Sequence, residues 1–325
     1  MKRVTILFPQ GGMASCAISP MDIFRSAGII WNHLQGQPEE QAFGVTTASL
    51  DGQAAICYDG TGILPDQSIK QVRKPDLVII PSIGIDLDAG LTQNADLIDW
   101  LRRRRKAGAE LAAICSGASL LAEAGILDGL PATTHWGLVE QYRQRYPKVN
   151  WQPELFITDS DGVYCGAGVY AALDLSLYLV ERFVGRRVAI ECAKALLIDP
   201  PRTSQAGFAV NFRRRIHSDE KIQQVQTWLK HNFREKFRFE DVATQRGMSP
   251  RNFVRRFKHA TGEAPLHYLH RLRIEAAKEL LEAEYKTLQE VAGEVGYEDV
   301  IHFRNLFKRH TGISPNAYRR RFGGH

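Results

Sequence analysis

Apolar residues follow two different periods along this chain of 325 residues. In the N-terminal part they form short, nearly unbroken runs, "RVTILFP", "FGVTTASL", "DLVIIPSI" and "AELAAICSG". Between these runs the period is helical, from about Pro20 to His33 and from about Gln93 to Ala107. An unbroken apolar run of strand length fits a strand buried on both faces, with the intervening helices covering it. The pattern predicts an α/β unit built on a parallel sheet, whose ligands bind beyond the C-terminal strand ends. "MKRVTILFPQ" reads as the first strand: its apolar stretch stops at Pro9, too short for the greasy core of a leader peptide. No segment approaches the roughly 18 apolar residues of a membrane span.

Further on the period is helical throughout, and the sequence repeats. "FEDVATQRGM" (239–248) aligns with "LQEVAGEVGY" (288–297) at an offset of 49, and "FVRRFKHATGEAP" (253–265) aligns with "FRNLFKRHTGISP" (303–315) at an offset of 50. Each copy predicts a helix, a glycine-containing turn and a second helix, so both read as helix-turn-helix units. Ser249 followed by Pro250, and Asp299 in the second copy, suit the start of the second helix, where short polar side chains accept free backbone N–H groups. Phe253 and Phe257, like Phe303 and Phe307, are four apart and share a buried face. With those rings inward, the 100° step turns Arg251, Arg255 and Lys258 outward, with Val254 on the flank. In the second copy it turns out Ile301, Asn305 and Lys308, with Arg304 on the flank. Arginine and asparagine bond guanine and adenine edges in the major groove, and lysine suits phosphate.

Charge supports this division. Residues 1–200 hold 18 Lys/Arg and 22 Asp/Glu, a net of −4, whereas residues 201–325 hold 24 and 14, a net of +10. The basic excess lies where a polyanion is to be met. Between the two parts, "DPPRTSQAGFAVNFRRR" (199–215) has a linker composition. The expected organisation is an α/β domain over 1–198, a linker over 199–217 and a DNA-binding domain over 218–325. The basic run "RRRRK" (102–106) lies in the acidic part and reads as the solvated end of a surface helix.

The tandem units, the joining segment "HATGEAPLHYLHRLRIEAAKELL" and the closing "FKRHTGISPNAYRRRF" resemble the DNA-binding domain of AraC/XylS-family transcription regulators over about residues 218–322. The resemblance implies two recognition helices set in successive major grooves and joined by a rigid helix around 267–283. Ile301 departs from it, an apolar residue where a base-reading polar one is expected.

In the N-terminal part "AICSGASLLAEAGILDGLPATTHW" carries the chain from a strand end into a helix at Cys115, where the helix N-terminus would favour thiolate over thiol. With "SPMDIFRSAGI" and "DGVYCGAGVYAALDLSLYLV", this stretch resembles the PfpI/ThiJ, or class I glutamine-amidotransferase-like, superfamily over about residues 1–195. The implied fold is a flavodoxin-like parallel-sheet sandwich, followed here by an all-α domain of two helix-turn-helix units. Such a fusion is similar to GlxA-type regulators. The resemblance places Cys115 at the nucleophile elbow and His135 near it. Where the superfamily's enzymes usually have an acidic residue, this chain has Cys16. Where some have a histidine after the elbow cysteine, it has Ser116.

A nucleophile needs a base or orienting acid within reach, and none beyond His135 is evident. Cys16, Cys115, Ser116 and His135 are therefore expected to line a ligand pocket without a catalytic role, in a regulator that senses a small metabolite, with amino acids or amines the leaning. Two alternatives stay open: a PfpI-like hydrolase with a DNA-binding tail, and a thiol redox sensor using Cys16 and Cys115. The resemblance implies double-stranded DNA, a small-molecule effector, RNA polymerase and a second copy of the chain as partners, and activation as the output. The cysteines at 16, 57, 115, 165 and 192 are odd in number and scattered, which fits a reducing cytoplasm and no metal site. No cofactor is expected.

Overall fold

The computed structural model describes residues 1–199, 202, 205, 208, 217–283 and 286–323. It divides into two compact units, Met1–Gln205 and Ala206–His325. In the first, one sheet contains β1 (Lys2–Leu7), β2 (Phe43–Ser49), β3 (Gln67–Ser68), β4 (Leu77–Ile80), β5 (Glu110–Ile114), β6 (Ile157–Ser160) and β7 (Val163–Gly166). Their spatial order is β6-β7-β5-β4-β1-β2-β3. Without the edge strands β3 and β6 the order is β2-β1-β4-β5-β7, the flavodoxin-like arrangement.

The apolar runs are continuous because both faces of the sheet are covered. Val78 and Ile80 of β4 pack into one core with Leu97, Trp100 and Leu101 of the helix Ala95–Lys106, and with Leu120 and Leu121 of the helix Ala118–Glu123. Leu77 and Ile79 enter the opposite core with Ile23 and Phe24 of the helix Ala14–Ser26 and Leu175 of the helix Ala171–Val184. Successive strand residues point to opposite faces, so every position of β4 meets one core or the other.

Four details differ from the sequence reading. Strand β6 runs antiparallel to β7. Asp161 and Gly162 join them at φ 49° and 65°, the left-handed pair of a type I′ hairpin turn, and "DG" is its sequence signal. The first helix runs over Ala14–Ser26, with Pro20 buried inside it and not at its start, and a short helix follows at Ile30–Leu34. Between them the carbonyls of Ala27 and Gly28 accept from Ala42 (3.3 Å) and Glu40 (2.9 Å), which ends the helical ladder. The 102–106 cluster is more engaged than a solvated helix end. Arg102 donates to the carbonyls of Ala124 (2.9 Å) and Glu123 (2.8 Å), Arg105 pairs with the Asp161 carboxylate (2.8 Å), and Arg104 lies 5.0 Å over the Trp100 ring.

Most of the segment read as linker, 199–217, lies outside the described residues. Within it Arg202 reaches the buried Asp174 carboxylate at 2.6 Å. The Gln205 amide bonds the Thr134 carbonyl (2.9 Å) and the Trp136 N–H (3.1 Å). Both residues are thereby tied into the first unit. No helix among the described residues is long and apolar enough to cross a membrane.

The second unit is helical. Glu220–Asn232, Phe239–Thr244 and Pro250–Thr261 surround a core containing Phe253 and Phe257, while Leu288–Glu294, Val300–Thr311 and Pro315–Phe322 surround another containing Phe303 and Phe307. The helix Pro265–Ala283 joins them: Tyr268 and Leu269 belong to the first core, Ile274, Ala277 and Leu281 to the second. Ser249 and Asp299 cap the second helices of the two units, Ser249 accepting from Asn252 N–H and Asp299 from Ile301 and His302 N–H. At the next helix-turn-helix start, Thr287 and Glu290 form a reciprocal capping box.

Because one helix is buried in both cores, damage to either should spread along it. Phe257→Ala should cost about 3–5 kcal/mol, as for other fully buried phenylalanines, and should speed amide exchange along all of 265–283. Exchange that accelerated only in the first half of that helix would mean the two cores are independent.

Candidate functional site

The elbow stands at the end of β5. Cys115 adopts φ 56°, a left-handed conformation that costs a non-glycine residue on the order of 1–3 kcal/mol. Packing holds it there. At Gly117 a Cβ would lie 2.4 Å from the Pro81 carbonyl oxygen and 2.5 Å from that of Ile80, so the turn is pressed directly against the end of β4. The Thr134 hydroxyl donates to the Cys115 carbonyl (2.9 Å) and the Tyr142 hydroxyl to that of Ser116 (3.2 Å).

The expectation of a thiolate is overturned. Cys115 is 7% exposed, and burial pushes its thiol up to about 11 against the opposing pull of the Ser116 and His135 backbone N–H groups. A helix N-terminus is worth about 0.3–1 kcal/mol to a charge and acts over its first turn. Here the helix is only Ala118–Glu123, and desolvation wins. The His135 side chain is half-buried. Its Nδ1 accepts from the Gly137 N–H (3.1 Å), so the ring proton sits on Nε2 and neither nitrogen is free to take another from a thiol. Burial also lowers the imidazole's affinity for a second proton.

Cys16 and Ser116 are buried, 0% and 1% exposed. The Cys16 sulfur accepts from Ser82 N–H (3.3 Å), and Ser116 Oγ accepts from Ile83 N–H (3.0 Å) and bonds Ser82 Oγ (3.1 Å). Ser82 Oγ in turn accepts from Gly84 N–H (3.2 Å). The two residues that stand in the enzyme positions thus satisfy the backbone of the loop after β4. Burial keeps the Cys16 thiol protonated, and all five cysteines are buried and free of disulfides.

An open cleft lies at the same end of the sheet, and Cys16, Cys115, Ser116 and His135 are not among the residues that line it. Its volume is about 550 Å³, and Gln10, Tyr58, Ile83, Ile85, Asp86 and Gln93 are among the residues that line it. The walls come from the loops after β1 and β4, with residues 56–58 of the segment after β2 closing one side, and between β1 and β4 the chain changes direction across the sheet. That is the topological switch point, where open α/β sheets bind ligands. Asn94, fully buried, holds it together: its Oδ1 accepts from Gln10 N–H (2.9 Å), and its Nδ2 donates to the carbonyls of Gln10 (3.0 Å) and Gly90 (2.8 Å). Tyr58 and Ile85 are exposed there, and the Asp86 carboxylate caps the helix Leu87–Gln93 through one oxygen. None of these residues stood out in the sequence. Only strand order marks them.

In the second unit Arg251, Val254, Arg255 and Lys258 are all exposed, as are Ile301, Arg304, Asn305 and Lys308. Arg255 donates to Asn252 Oδ1 (3.0 Å) on its own helix. Arg256 faces away and pairs with the Asp219 carboxylate. His302, exposed on the same outward face, was not singled out from the sequence.

Residues 2–182 match the DJ-1/PfpI family, and residues 242–321 match a helix-turn-helix domain. The chain is 26% identical over 274 residues to the HTH-type transcriptional regulator GbdR of Pseudomonas aeruginosa, spanning 84% of this chain and 74% of that protein. It is 28% identical over 227 residues to the HTH-type transcriptional regulator GlxA of Rhizobium meliloti, spanning 69% of each. The structure of Drosophila melanogaster DJ-1beta superposes with a TM-score of 0.52 at 25% identity, covering 61% of this chain and 98% of that one. The chain belongs to the DJ-1/PfpI family, and its flavodoxin-like domain joined to an AraC-type helix-turn-helix domain makes it a transcription regulator.

Proposed function

We propose that this regulator is a cytoplasmic activator that works as a homodimer, engages RNA polymerase and responds to a small metabolite held in the cleft between the loops after β1 and β4. The observation that carries the effector site is the position of that cleft at the switch point, with apolar surface from Tyr58 and Ile85 beside the Asp86 carboxylate. A carboxylate and an aromatic ring lining one cleft suit a cationic group, which supports an amine or amino acid as the effector class. Binding there should raise thermal stability, since a ligand held only by the folded state stabilises it.

The α/β domain is read as catalytically silent. Nucleophilic attack by Cys115 would need a thiolate or a base to form one, and burial favours the thiol while His135 has no acceptor to offer. The same geometry disfavours redox sensing, because a protonated thiol is slow to oxidise.

For the DNA-binding faces, Arg255→Ala or Arg304→Ala should cost about 1–3 kcal/mol on a specific site and relax base preference there. Lys258→Ala or Lys308→Ala should weaken binding to all sequences and shallow the salt dependence by about one charge. Each monomer should protect two major-groove segments roughly 10 base pairs apart. A tail lacking salt-sensitive duplex binding would defeat this reading.

The thiols give a pH signature. Cys115, Cys165 and Cys192 are pushed up to about 11, 12 and 11 by burial, against about 8.5 in an unfolded chain. Between those limits the folded state holds more protons than the unfolded one, so stability falls as pH rises. Urea midpoints should be level up to about pH 8.5 and then drop steadily towards pH 11. The domain should show no amidase or peptidase turnover, and turnover that vanished in Cys115→Ser would overturn the silent reading.

A further inference from the structure

Each recognition helix holds one aliphatic side chain in the open: Val254 is 46% exposed and Ile301 66%. Among the described residues of the second unit, Leu266 is the one other large apolar side chain left exposed. Two of the three therefore lie on the faces that meet DNA. A single exposed aliphatic side chain is ordinary on a protein surface; what sets Val254 and Ile301 apart is that each stands beside an arginine on the outward face of the second helix of its unit. In the major groove the apolar group on offer is the C5-methyl of thymine.

The repeat shows how these residues are placed. At its offset of 50, Arg251 falls on Ile301 and Val254 falls on Arg304. Both helices therefore carry one arginine and one aliphatic residue three positions apart, in opposite order along the chain. Residues three apart are neighbours on one helix face. They are separated by about 4.5 Å of helix rise, close to the roughly 3.4 Å between stacked base pairs, so they face adjacent pairs. The flanking chemistry is otherwise matched: Lys258 and Lys308 share a position, and Arg255 falls on Asn305. Since one unit is a copy of the other, their helices enter the grooves in the same sense.

We propose that Val254 and Ile301 are specificity-determining residues, each covering a thymine methyl next to a guanine read by Arg251 or Arg304, and that thymine and guanine occur in reversed order in the two half-sites. This rests on the DNA-binding function described above and adds what the two helices select. Ile301 replaces a hydrogen-bonding residue with one that distinguishes thymine from the other three bases by shape. The two halves of the operator then differ in sequence, which fixes the direction in which a monomer lies on the duplex.

The test begins by selecting binding sites for the full-length chain from randomised duplex. Single thymines in the selected site are then replaced by deoxyuridine, which removes only the methyl group. Replacement opposite Ile301 should weaken binding about fourfold, the worth of one buried CH₂ group. Ile301→Ala should bind the thymine and uracil duplexes equally well, and Val254→Ala should behave likewise in the other half-site. Both side chains are exposed, so the thermal transition of each variant should match that of the parent. Sequence-specific binding that ignored the methyl groups, or half-sites with thymine and guanine in the same order, would refute this inference and leave the regulator intact. A full chain without any salt-sensitive duplex binding would instead remove the DNA-binding reading on which it stands.

Discussion

Everything the DNA-binding unit can do depends on one helix being buried in two cores at once. Pro265–Ala283 inserts Tyr268 and Leu269 into the first core and Ile274, Ala277 and Leu281 into the second. At the point of transfer sits Arg273. Its guanidinium donates to the carbonyls of Phe233 (2.7 Å) and Glu235 (3.2 Å) at the end of the first unit's leading helix, and to that of Gly296 (2.9 Å) in the turn of the second. The same group lies 5.1 Å over the Tyr297 ring. A planar fork of donors can satisfy carbonyls from two directions in a way that a lysine ammonium cannot. The spacing of the two helix-turn-helix units is thereby held by a continuous helix and by side-chain bonds between the halves, those of Arg273 with the Lys236–Glu298 ion pair.

The elbow is held in its shape by packing and by backbone hydrogen bonds. Cys115 remains in a left-handed conformation and Gly117 remains pressed against the Pro81 and Ile80 carbonyls. That geometry would expose a nucleophile if a base and an acid were present. With Cys16 and Ser116 at the supporting positions, the side chains instead accept the N–H groups of Ser82 and Ile83, donors that would otherwise be buried without partners. An unmatched buried donor costs about 1–3 kcal/mol. Structural need alone is therefore enough to retain these residues, and a strained turn is not by itself a sign of turnover.

How much of this was legible in the sequence depended on whether the signal was local. The outward faces of the second helices were, because the four-residue spacing of Phe253 and Phe257, repeated in Phe303 and Phe307, fixes which side chains turn outward. The caps Ser249 and Asp299 were legible for the same reason. The parallel sheet was legible from its unbroken apolar runs, while the antiparallel β6 was missed although Asp161-Gly162 announces a hairpin. Pro20 misled, since proline favours a first helical turn and here lies inside the helix. The cleft could not be read at all. Gln10, Tyr58 and Asp86 come from segments far apart in the chain, and only the order of β1, β2 and β4 in the sheet brings them together. The protonation of Cys115 was misjudged because local context shows the helix terminus and hides the burial that outweighs it.

Those two hidden features belong to one network. Ile83 lines the cleft, and its N–H is held by Ser116 Oγ at the elbow. Ser82, one residue earlier, is held by Cys16 from the helix Ala14–Ser26 and by Ser116 from the opposite side. Gly117 leaves no free space against the end of β4. A solute that displaced the Ile83–Asp86 segment could not do so without breaking or carrying along these hydrogen bonds, because close-packed interiors transmit displacement instead of absorbing it. Within the α/β unit, the Ser82–Ile83 loop thus ties the lining of the cleft to the elbow and to the helix Ala14–Ser26.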